Sequence, residues 1–259
     1  MIFQVIFGYE WYLYVAFFFV GILTSAINSI AGGGSTISLP IMIFLGLPPT
    51  VANGTNRIGL FIGNTTSAVN LFRHGLLNTK IYFHLLLPTF IGSLLGIFFL
   101  IRLDDKIFQG ILSLAILLVV VMGQLKRDFL GKPPATPPEK LSLPAFLGFL
   151  AVSIYGCIIQ VGVGFLQIFA LSRYTGLDLL HVNAIKNALT STFLLVSTIG
   201  LIAIGKVEWG LAICVSAGSM LGGLLGSRLQ RKKGNVFIKR FISVASIVMA
   251  IVLIRDLFA

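Results

Sequence analysis

The stretch Ala31–Arg57, AGGGSTISLPIMIFLGLPPTVANGTNR, is answered 130 residues later by Val161–Asn187, VGVGFLQIFALSRYTGLDLLHVNAIKN. Each opens on a glycine-rich break, Ala31-Gly32-Gly33-Gly34 in the first and Gln160-Val161-Gly162-Val163-Gly164 in the second. Behind each break lies an apolar piece, Thr36–Leu47 or Val163–Leu171. Both are too short to cross a bilayer, because a helix of about 12 residues covers about 18 Å of a core about 30 Å thick. The same shift pairs Gly46-Leu47 with Gly176-Leu177, Asn53 with Asn183, Ser67 with Ser197 and Gly75 with Gly205. It also pairs Leu94-Leu95-Gly96 with Leu224-Leu225-Gly226. A register held without a gap over that distance marks an internal duplication. Between the copies, GKPPATPPEK (residues 131–140) holds four of the nine prolines and reads as a surface linker. The chain divides into repeats 1–130 and 141–259.

Composition decides the medium. Of 259 residues, 57% are apolar and 10% charged, and the mean hydropathy is +1.00; an ordinary soluble domain carries about 25% charged residues. No single soluble core of this size could hide so much apolar surface. Soluble enzyme, nucleic-acid module and disordered scaffold are excluded, leaving an all-α polytopic membrane protein. Apolar segments of bilayer length run at Trp11–Ala31, Arg57–Phe72, Ile81–Ile101, Ile107–Leu125, Leu143–Ile159, Val182–Ile204, Val207–Ser227 and Val236–Ile254. With the short pieces, each half holds five helical segments. An odd number sends the second half in from the opposite side, which predicts an inverted-topology repeat with short or re-entrant segments at the glycine breaks.

The charge balance is 19 Lys+Arg against 8 Asp+Glu, a formal +11. In a membrane protein this orients the chain rather than pointing to nucleic acid. Thirteen basic residues, among them Arg73, Lys80, Arg173 and Lys232, gather on one side, against Arg102, Lys106, Lys206 and Arg255 on the other. The crowded side is expected to be cytoplasmic, with the linker, and both termini outside. No basic n-region precedes the first apolar stretch, so no cleaved signal peptide is expected. Cys157 and Cys214 lie in apolar runs without CxxC spacing and read as free thiols.

Arg57 and Lys186 fall outside both sets of loops. Each belongs to a polar knot behind a short helix, Ala52-Asn53-Gly54-Thr55-Asn56-Arg57 and Val182-Asn183-Ala184-Ile185-Lys186-Asn187. Under the shift, Asn56 pairs with Lys186 and Arg57 with Asn187, so each copy contributes a cation and an amide, swapped by one position. Snorkelling to the headgroups is the alternative. A cation at a helix centre costs at least about 2.5–3.5 kcal/mol on insertion scales, so a pair at symmetric places reads better as ligand-facing. Asn and Thr add neutral donors, interrupted helices add free backbone N–H groups, and together these suit a small oxyanion. Asn28 and Gln160, just before the breaks, could add donors or bridge helices. Gly59-x-x-x-Gly63, Gly92-x-x-x-Gly96 and Gly222-x-x-x-Gly226 read instead as close-packing contacts. His74, His84 and His181 are too scattered for a metal or a catalytic base, and the breaks lack a P-loop lysine. No metal, cofactor or enzymatic activity is expected.

The motif of a glycine run, a proline a few residues on, Gly-Leu-x-Pro, then Ala and Thr in Ala31–Arg57 resembles the sulfite exporter TauE/SafE family, also called the 4-toluene sulfonate uptake permease family. The second copy departs from it at Val163, Ala170, Ile185 and Lys186. The resemblance spans the whole chain and implies a transporter of sulfite, sulfonates or related organosulfur anions in the cytoplasmic membrane. Carried over residue by residue, it places the site at Gly32, Gly33, Gly34, Asn53, Thr55, Asn56 and Arg57, with Gly162, Gly164, Asn183, Lys186 and Asn187 opposite. The family holds exporters and importers. All eight acidic residues fall in loops or at segment ends, so no intramembrane carboxylate is evident for ion coupling. An anion leaving a negative interior gains about 2.3 kcal/mol per charge per 100 mV, which favours export. An anion channel and an ion-coupled importer stay open as alternatives, as do monomer and homodimer.

Overall fold

The computed structural model describes residues 5–6, 9–104, 106–108, 110–111 and 142–258. The linker 131–140 and most of the span expected at Ile107–Leu125 lie outside the described residues. Among the described residues, eight helices with both ends described follow a two-residue strand pairing of β1 (Val5–Ile6) with β2 (Tyr9–Glu10). They are α1 (Trp11–Ile30), α2 (Ser35–Phe44), α3 (Pro49–Arg73), α4 (Thr79–Leu100), α5 (Leu143–Ile158), α6 (Val163–Thr175), α7 (Leu179–Ala203) and α8 (Trp209–Phe258). The last is interrupted at Gly234 (φ 69°, ψ −168°). Adding 130 to the bounds of α3 gives those of α7. Paired glycines likewise share the left-handed region, Gly46 with Gly176 and Gly75 with Gly205.

Local chemistry starts several of these helices. The Asn78 side chain accepts the Ile81 amide at the head of α4, and Asp178 accepts those of Leu180 and His181 at the head of α7. Pro49 opens α3, where its missing N–H costs nothing. One expectation shifts. The spans read as starting at Arg57 and Val182 begin at Pro49 and Leu179, so both polar knots lie inside the first turns of α3 and α7. Asn, Gly and Thr are weak helix formers, but residues 52–57 are all buried in α3, and tertiary packing overrides propensity.

Trp11–Ile30, Thr79–Leu100, Leu179–Ala203 and Trp209–Ile242 are long and apolar enough to cross a membrane. Their outward faces are apolar, with Phe19 61%, Phe83 64% and Ile213 67% exposed, while Asn183 and Gln230, like Asn53 and Asn64 of α3, are buried. That is the pattern of a chain surrounded by lipid.

Small residues set the packing. A Cβ on Gly218, Gly222 or Gly226 would meet the backbone of Phe18, Ile22 or Ala26, so α1 and α8 run parallel. Gly63 lies on Ser25, and Ser67 Oγ bonds Ser29 Oγ at 2.7 Å, so α3 runs with α1. In contrast, Ser67 meets Asn187 while Leu60 packs with Phe193 and Leu194, so α3 and α7 are antiparallel. The glycine-x-x-x-glycine pairs thus serve close packing, as expected. Gly222→Leu is expected to destabilise the α1–α8 contact by about 1–3 kcal/mol. A lowered thermal midpoint in detergent would register it, whereas an unchanged midpoint would mean the helices separate without cost.

Candidate functional site

The two breaks meet backbone to backbone. Gly32 (φ +87°) sits so close to Gly164 that a Cβ on either would overlap the other's Cα. Ser35 at the head of α2 donates to the carbonyl of Gln160 at 3.1 Å. Gln160 itself is at φ 66°, and its buried Oε1 has no partner. Gly162 supplies the left-handed turn into α6 (φ 69°), and Gly34 packs on the Thr24 carbonyl.

Arg57 is fully buried on α3. Its Nε donates to Asn53 Oδ1 at 3.2 Å, and its Nη2 to the carbonyl of Ile158, the last residue of α5, at 3.2 Å. Nη1 has no partner, nor does Asn53 Nδ2, nor either amide atom of Asn56, which is 1% exposed. Thr55 makes a different contact: its Oγ1 accepts the Glu208 amide at 3.0 Å and ties α3 to the start of α8.

Lys186, equally buried on α7, donates to the carbonyls of Asn28 at 2.6 Å and Ser29 at 3.0 Å. Asn187 Nδ2 donates to the Ser29 carbonyl and to Ser67 Oγ, and Asn183 Nδ2 to the Ile30 carbonyl and Gln230 Oε1. Gln230 Nε2 completes the mesh at Ser29 Oγ, 3.2 Å away. The last carbonyls of α1, left without intrahelical donors where the helix stops, are thus satisfied from α7.

Among the described residues, neither cation has a carboxylate partner; the one salt bridge joins His181 to Asp178 at 2.7 Å, at the exposed head of α7. No group of three or more His, Cys, Asp or Glu side chains is placed to hold a metal among them. The two knots lie at different depths. Asn187 bonds Ser67, ten residues along α3 from Arg57, or about 15 Å of helix rise. Sequence reading missed Ser29, Ser67, Gln230 and Gln167, whose buried Nε2 is unpartnered. Gln167 is a lone amide in an apolar run, Ser29 and Ser67 follow other polar residues and Gln230 lies among basic ones, so none stands out in the sequence.

Two buried cations behind a pair of helix breaks, with no carboxylate beside them among the described residues, agree with a match along the sequence: the Sulfite exporter TauE/SafE family covers residues 17–253. The chain belongs to the sulfite exporter TauE/SafE family. A probable membrane transporter protein of Haemophilus influenzae is 28% identical over 244 residues, 92% of this chain and 93% of its own length. The probable membrane transporter protein YfcA of Escherichia coli K12 is 27% identical over 92% of this chain and 88% of its own. YjnA of Bacillus subtilis, another probable membrane transporter protein, is 24% identical over 83% and 89%. No solved structure matches. This TauE/SafE chain is therefore a multi-pass membrane transporter.

Proposed function

We propose that the chain carries small sulfur-containing anions, sulfite or an organosulfonate, outward across the cytoplasmic membrane. The observation that supports this most is the burial of Arg57 and Lys186 without a carboxylate partner among the described residues. Desolvating a cation costs several kcal/mol, and an interior left positive favours entry of an anion. The candidate contacts are the two breaks, Gly32, Gly33 and Gly34 with Gly162 and Gly164, and the two knots behind them. Residues 1–130 and 141–259 form inverted-topology repeats in this reading. The shared helix bounds and the antiparallel course of α3 and α7 support it.

Proteoliposomes loaded with sulfite and clamped with potassium–valinomycin are expected to release it faster as the interior becomes more negative. Flux that ignores voltage yet follows a proton or sodium gradient would overturn uncoupled export, and resolvable unitary currents would make the protein a channel. Topology has its own test. The 131–140 linker is cytoplasmic in this reading, so Ala135→Cys is expected to resist an impermeant maleimide added to intact cells. Rapid labelling would reverse the orientation.

A further inference from the structure

We infer that the two buried cations do different work: Lys186 closes a helix end, while Arg57 alone anchors the substrate, so the site selects anions of single negative charge. The inference rests on the sulfur-oxyanion transport proposed above.

Under the 130 shift, Asn28 corresponds to Ile158. Lys186 donates to the carbonyl of the first and Arg57 to that of the second, so each cation reaches the end of the opening helix of the other half. There the equivalence stops. Around Lys186, the carbonyls of Asn28, Ser29 and Ile30 take donors from Lys186, Asn187 and Asn183, and Gln230 bridges Asn183 to Ser29. At the equivalent places near Arg57, Ser29 becomes Ile159 and Gln230 becomes Leu100, each 2% exposed and apolar. The Gln230 bridge has no counterpart there, and Asn53 Nδ2 and Asn56 Nδ2 reach no carbonyl.

What remains is a set of unspent donors. Arg57 Nη1, Asn53 Nδ2 and Asn56 Nδ2 are buried and unpartnered, and residues i, i+3 and i+4 lie on one face of α3. A buried donor without a partner is destabilising, so such a cluster is retained where a ligand satisfies it. Three N–H groups match the three oxygens of a sulfonate or hydrogensulfite, with one fixed charge among them. Lys186 does not add to that charge, being committed to carbonyls at a level about 15 Å along the helix axis. Next to the Ile158 carbonyl that Arg57 holds, Cys157 joins Leu60, Val163, Phe193 and Leu194 in a buried apolar cluster. In such surroundings a dianion costs about four times as much to desolvate as a monoanion of equal size, because the Born energy scales with the square of charge. One guanidinium cannot offset the difference.

Calorimetric titration of the purified full-length protein in detergent separates the cases, with methanesulfonate, sulfate and sulfite as probes and methanesulfonamide as an uncharged isostere. Methanesulfonate is expected to bind at least tenfold more tightly than sulfate, and methanesulfonamide not measurably. Asn56→Asp, nearly isosteric, places a carboxylate beside Arg57 and is expected to weaken methanesulfonate at least tenfold. Sulfate binding as tightly as methanesulfonate, or Asn56→Asp binding it unchanged, would overturn the single-charge site while leaving anion transport standing. Failure of every anion, sulfite included, to bind would overturn both readings.

Discussion

Gly164→Leu is expected to remove transport together with the assembled bundle. The Cα of Gly164 faces that of Gly32 with no room for a Cβ, and both contact atoms belong to backbone, which has no rotamer to yield. Overpacking where a side chain can move costs about 1–3 kcal/mol, and here two helix breaks must separate instead. The loss is expected to exceed that range, enough to take a marginally stable membrane protein below its folding threshold. Yield of monodisperse protein after detergent extraction measures it. Gly46→Ala offers the comparison: Gly46 has a left-handed φ but nothing within 4 Å of a built Cβ, so only backbone strain of about 1–2 kcal/mol opposes it. Equal yields from the two variants would show that the breaks do not meet as described.

Lys186→Met is expected to destabilise the protein by about 2–5 kcal/mol, the range for removing one partner of a buried charged contact. Methionine keeps most of the volume, so the loss isolates the ammonium. The Asn28 carbonyl then loses its donor, whereas Ser29 keeps Asn187. A buried acceptor left unpaired costs about 1–3 kcal/mol by itself, and the favourable placement of a cation at the C-terminus of α1 goes with it. Thermal unfolding in detergent is the measurement, and Lys186→Arg is expected to recover part of the loss. A Lys186→Met protein as stable as the parent but unable to bind sulfite would mark Lys186 as a ligand contact instead of a helix cap.

Much of the architecture is legible in the sequence. Hydropathy alone requires membrane helices, since lipid admits few other backbones, and the turn glycines Gly32, Gly162, Gly46 and Gly176 announced where the chain must leave the helical region. The boundary at Pro49 was less visible because an Asn-Gly-Thr-Asn run signals a loop when taken by itself. It becomes helix because the fold buries it, with Gly54 on the Lys206 carbonyl, Thr55 on the Glu208 amide and Arg57 on the Ile158 carbonyl. Arg57 and Lys186 stood out as cations amid apolar sequence, and burial in both cases agrees with that expectation.

Composition and spacing suffice for the medium, the helical class, the 130-residue periodicity and the two cations set amid apolar sequence, because all are local properties of the chain. What those cations touch follows from packing alone. Besides the swap of cation and amide, two positions outside the knots set the surroundings of the two cations apart, Ser29 against Ile159 and Gln230 against Leu100. Their effect exists only where α1, α3, α7 and α8 converge, because a hydrogen bond depends on distance and direction between groups up to 201 residues apart in the chain.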